Sequence, residues 1–170
     1  MEFISITLHG SNVKYLIVCL LLLSGCAKEV TWPASIKFQS LNNLEVEAIT
    51  NSLKDLSQST NRELFYFEER PNSFKITITK MDYQSNSKYL GRATITEGTC
   101  LVELNEVVLE DSYSSFFVPV LYHELGHCTG MGHNPNEGEI MYYVGSSIDF
   151  YSQDAFNRFF NEFVQFVNND

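Results

Sequence analysis

The stretch from residue 123 to 133 reads His-Glu-Leu-Gly-His-Cys-Thr-Gly-Met-Gly-His, and it limits what the rest of the chain can fold into. It gathers three of the four histidines in the sequence, His123, His127 and His133, with Glu124 beside the first. Residues four apart on a helix stand about one turn from each other, so His123 and His127 project from one face. Two imidazoles so placed can hold a single Zn²⁺ at roughly 2.0–2.1 Å each. Gly130 can take the positive φ that ends a helix and turns the chain back. His133 then closes the ligand set from outside the helix. Three protein nitrogens leave a fourth position for water, the pattern of a catalytic rather than a structural zinc. Glu124, beside that position, can take a proton from water attacking a carbonyl and pass it to a leaving amine.

The pattern His123-Glu124-x-x-His127-x-x-Gly130-x-x-His133 resembles the zinc signature of the metzincin metallopeptidases. Members of that family carry a methionine turn beneath the metal, and Met141 follows in Gly-Glu-Ile-Met-Tyr-Tyr. So short a gap after His133 is most similar to the matrixin (matrix metalloproteinase) branch. The resemblance implies an α+β, zincin-like catalytic domain with a twisted mixed sheet of about five strands and three main helices. It also implies one catalytic Zn²⁺ and a role for Met141 as an apolar floor rather than a ligand. Astacin-like and serralysin-like metzincins place a tyrosine two residues after the methionine, where this chain has Tyr143 and matrixins have proline. Tyr143 either donates a hydrogen bond to a developing oxyanion or only packs. Matrixins hold a second, structural zinc largely through histidines. His9 is the sole histidine outside the motif, so no second zinc is expected, and no acidic spacing picks out structural Ca²⁺.

The first 25 residues have the form of an exported protein's leader. Lys14 precedes the apolar run Tyr15-Leu16-Ile17-Val18-Cys19-Leu20-Leu21-Leu22-Leu23, which is short for a membrane span. Leu23-Ser24-Gly25-Cys26 resembles a bacterial lipobox, which implies cleavage before Cys26 and acylation of that cysteine. Several acyl chains on one residue attach durably, each buried CH₂ contributing about 0.8 kcal/mol. The alternative is an uncleaved N-terminal anchor. Residues 26–35 then form a short tether, with Pro33 opposing an early helix, and residues 36–170 the peptidase domain. No latency segment fits between Cys26 and that domain, so activity is expected to be intrinsic or restrained by a separate inhibitor protein. The expected location is the bacterial cell envelope, on the outer membrane if there is one.

Along the domain, Ile36-Lys37-Phe38 reads as a short strand. Val46, Ile49, Leu53 and Leu56 have helical spacing, with Glu45, Glu47, Lys54 and Asp55 assigned to a solvated face. Leu64-Phe65-Tyr66-Phe67 and Phe74-Lys75-Ile76-Thr77-Ile78-Thr79 follow as strands around Pro71-Asn72-Ser73. Tyr89 to Thr96 is expected to be the strand at the cleft, an antiparallel sheet edge to which an extended peptide substrate can add; an interior strand is the alternative. Gly98 turns the chain into the strand Cys100 to Asn105. Pro119 requires the motif helix to start around Phe116 to Pro119, with Leu121, Leu125 and Cys128 inward. Asn134-Pro135-Asn136-Glu137-Gly138 is a turn, and Val144 to Tyr151 is expected to wall the pocket beyond the scissile bond. Ser152 caps a last helix whose Phe156, Phe159, Phe160, Phe163, Phe166 and Val167 pack behind the site.

Cys100 and Cys128 remain as an even pair in an exported protein and suggest a disulfide; two buried thiols are the alternative. A formal charge of −10 argues against nucleic acid as a partner. The expectation is a monomeric, lipid-anchored zinc endopeptidase. Its rivals are a non-catalytic peptide- or partner-binding lipoprotein that keeps its zinc, and a zinc amidase acting on cell-wall material.

Overall fold

The computed structural model describes residues 31–82, 89–110, 116–142 and 151–168. Cys26, Tyr143 and most of the expected pocket wall lie outside them. Five strands form one sheet: β1 (Thr31–Gln39), β2 (Phe65–Tyr66), β3 (Ser73–Met81), β4 (Gly91–Thr96) and β5 (Thr99–Asn105), in the order β2-β1-β3-β5-β4. The first four in that order are mutually parallel, and β4 runs antiparallel to β5 at the edge. The described helices are α1 (Asn43–Ser59), the short α2 (Glu106–Glu110), α3 (Phe117–Cys128) and α4 (Gln153–Asn168). The domain is thus α+β, with the mixed five-stranded sheet and three long helices that the resemblance implies.

Alternation explains which face is covered. Ala34 and Ile36 of β1, Ile76 and Ile78 of β3, and Cys100, Val102 and Leu104 of β5 are all buried. They pack against Ile49, Leu53 and Leu56 of α1, Leu121 and Leu125 of α3, and Phe159 and Phe163 of α4. The opposite face of β4 and β5 carries polar pairs such as Arg92 with Glu103, whose guanidinium nitrogens lie 2.6 and 2.8 Å from the carboxylate. One apolar face and one wetted face give these strands a period-2 pattern of burial.

The sheet starts earlier than the expected tether allows. β1 begins at Thr31, so residues 31–35 belong to the domain. Trp32 supplies the reason: its ring lies 5.9, 5.8 and 5.7 Å from those of Phe65, Phe74 and Phe163. Pro33, after a cis peptide bond, falls where the β1–β3 register is irregular, so its missing N–H removes no regular ladder bond. Leu64 and Phe67, in contrast, fall outside the two-residue strand β2.

Glu45 also departs from the sequence reading, because it is buried rather than solvated. Asn42 Oδ1 accepts from the amides of Leu44 and Glu45 at 2.9 and 3.0 Å, and Glu45 Oε2 accepts from the Asn42 amide at 2.7 Å. This reciprocal box satisfies three donors at the start of α1. Lys80 of β3 donates to the remaining oxygen of Glu45 at 3.0 Å, tying the helix to the sheet. Tyr122 of α3 completes the layer by donating to the Ser52 carbonyl of α1 at 2.9 Å and stacking on Phe159. Burial raises the Tyr122 phenol well above its ordinary pKa, which keeps it a donor.

Candidate metal centre

Pro119 stands in the first turn of α3, where an amide would have no helical acceptor. Leu121, Leu125 and Cys128 turn inward, while His123 and His127 are only partly buried and lie together with His133. The helix stops through its backbone: the Gly130 amide bonds to the His127 carbonyl at 2.9 Å and the Met131 amide to the Gly126 carbonyl at 3.1 Å. That pair of bonds is a Schellman ending, and it requires Gly130 at φ +87°. The chain therefore reverses and returns His133 to the helix face.

The three imidazoles converge. His127 Nε2 lies 3.1 Å from His123 Nε2 and 3.2 Å from His133 Nε2. His123 Nδ1 donates to the Ile140 carbonyl at 2.7 Å, and His127 Nδ1 to the Met131 carbonyl at 3.0 Å. A neutral imidazole that donates from Nδ1 has a bare lone pair on Nε2. Bare lone pairs this close repel one another, and a cation between them relieves the repulsion. A tetrahedral ion at roughly 2.0–2.1 Å from each would hold its ligands about 3.3 Å apart, which matches the spacing. Burial lowers the His123 pKa to about 4 and lowers that of His127, so both are neutral and ready to ligate near pH 7. This donor set fits zinc, which His123, His127 and His133 would hold.

The carbonyls that orient the rings come from the two segments flanking the site. Met131 follows the Gly130 turn directly. Ile140 sits in a loop closed by the Asn134 amide on the Met141 carbonyl at 2.7 Å and turned at Gly138, φ +85°. Arg158 of α4 holds that loop through Glu139 at 2.8 Å. Met141, buried, rests beneath the motif helix: a Cβ added to Gly126 would meet its Sδ at 2.5 Å. The sequence reading passed over Gly126, Met131 and Ile140. Only Gly126 left a signal, since glycine inside a helix is disfavoured unless something packs on it.

Glu124, the residue after His123, is buried under the edge strand. Burial raises its pKa to about 7, partly offset by a hydrogen bond from the Ala93 amide. A carboxylate so poised exchanges protons near neutrality. Cys100 of β5 and Cys128, one residue after His127, are joined in a disulfide with a Cα–Cα separation of 5.6 Å. It ties the helix that carries two of the imidazoles to β5 of the sheet.

The fold and this centre together define an α+β domain built around three convergent imidazoles. No family model matches the chain, and no curated protein matches it. Among solved structures it is similar to the archaemetzincin of Methanopyrus kandleri, with a TM-score of 0.54 at 14% identity, over 79% of this chain and 94% of that one.

Proposed function

We propose that the chain is a zinc-dependent endopeptidase acting on extended peptides. The observation that carries this reading is the convergence of three Nε2 atoms, with the buried Glu124 following His123 on the same helix. His123, His127 and His133 hold the ion; the imidazole orientations are set before it arrives by the Ile140 and Met131 carbonyls. Bound zinc supplies Lewis-acid polarisation of the scissile carbonyl and acidifies water. Glu124 accepts the proton of the attacking water and returns it to the departing amine. Met141 keeps the imidazoles' floor dry. Apart from the Ala93 amide, which Glu124 holds, the β4 edge offers backbone groups that a peptide can pair with as an added strand.

The short gap from His133 to Met141 favours a matrixin-like arrangement, while Tyr143 in place of proline leans toward astacin-like chemistry. Attachment to a bacterial envelope through Cys26 follows from the lipobox-like residues alone. No described helix is long and apolar enough to cross a membrane.

The test uses the purified chain and its Glu124→Gln variant, measuring bound zinc and cleavage of an unbiased peptide library. The proposal predicts zinc in both and cleavage by the wild type only. Zinc in both with no cleavage by either would move the assignment to a binding protein or, if wall fragments are cut instead, to an amidase.

A further inference from the structure

Glu124 meets the edge strand where that strand has no side chain. A Cβ built on Gly91 would stand 2.7 Å from Glu124 Cγ, 2.7 Å from Oε1 and 3.0 Å from Cδ. Any other residue at 91 would occupy the space of the carboxylate arm. Two residues on, the Ala93 amide donates to the same carboxylate.

The start of β4 is itself clamped by a buried polar residue. Asn105, at 0% exposure, donates from its amide to the Leu90 carbonyl and from Nδ2 to the Tyr89 carbonyl, both at 2.9 Å. Its Oδ1 accepts from the Val107 amide at 3.1 Å. With Leu90 bonded to Asn105, antiparallel alternation turns the amides of Gly91, Ala93 and Ile95 away from β5. The Ala93 amide is therefore available to Glu124 at no loss to the sheet.

We infer that Gly91 is a positioning residue for Glu124. Its bare Cα and the Ala93 amide, fixed in place by Asn105, set where the carboxylate stands relative to the three imidazoles. This rests on the peptidase reading for its catalytic consequence but not for its geometry. Misplacing a reacting group by about 1 Å can cost 10²-fold in rate.

Gly91→Ala tests it directly, since alanine is no worse than glycine in a strand. Its kcat is expected to fall about 100-fold, with KM little changed and zinc content equal to wild type. Ala93→Pro, which removes the amide without removing a ladder bond, should lower kcat in the same way. A crystal structure of zinc-loaded Gly91→Ala should show the carboxylate displaced from the Ala93 amide. Wild-type kcat in both variants, or an unmoved carboxylate in the crystal, would overturn the inference. Should the wild type cleave no peptide, the peptidase reading fails, and the crystallographic comparison alone decides the positioning claim.

Discussion

Gly126→Ala should change the sign of its effect on stability depending on what residue 141 is. Glycine inside a helix costs about 1 kcal/mol relative to alanine, so the substitution alone favours folding by that amount. Against it, the new methyl would stand 2.5 Å from Met141 Sδ, 3.2 Å from Met141 Cε and 3.2 Å from Phe159 Cε2. Met141 and Phe159 are buried, so neither can swing into solvent. Overpacking of this kind costs about 1–3 kcal/mol, leaving a net loss of about 0–2 kcal/mol after the propensity gain. In a Met141→Ala background the main obstruction is gone and a cavity is present. There Gly126→Ala should be neutral or stabilising by up to about 1 kcal/mol, even though Met141→Ala alone costs about 2–5 kcal/mol. The coupling between the sites is then about 2 kcal/mol, large enough for a double-mutant cycle to resolve. Urea denaturation of the four proteins in chelator measures it without a contribution from bound metal. Equal destabilisation in both backgrounds would show that Met141 does not pack on Gly126.

Removing the Cys100–Cys128 bond, with a sequence separation of 28, should cost about 3.6 kcal/mol on the chain-entropy model; urea midpoints of a double serine variant and of the reduced wild type check this. Asn42→Ala should cost about 1 kcal/mol by opening the capping box, and Glu45→Ala more than a surface glutamate, because Lys80 loses its acceptor as well. Strong chelation should abolish cleavage, and adding Zn²⁺ back should restore it, with far-ultraviolet circular dichroism little changed because the imidazoles are oriented by backbone carbonyls.

The centre was the most legible part of the chain because its information is local. His123, His127 and Gly130 act through one helix and its ending, and both follow from spacing. β3 and β5 were legible for the same reason: alternation over Phe74 to Thr79 and Cys100 to Asn105 reports a single buried face. What the sequence concealed depends on contacts between distant segments. Trp32 draws residues 31–35 into the sheet by packing on Phe163, far along the chain, and Pro33 disguises that strand as a linker. Glu45 looks like any acidic residue on a polar helix face until Asn42 and Lys80 are placed around it. Gly91 reads only as a weak spot in a strand; its purpose is visible once Glu124 lies against it. The strand order β2-β1-β3-β5-β4 comes likewise from tertiary pairing, which no local pattern encodes.

The most direct test of the centre is X-ray absorption at the zinc edge on the purified, zinc-loaded chain, with zinc content measured in parallel. Three imidazole nitrogens and one oxygen at roughly 2.0–2.1 Å, with one ion per chain, is the predicted result. A folded chain that takes up no zinc when metal is supplied, or one whose ion lacks the three imidazoles, would contradict the account.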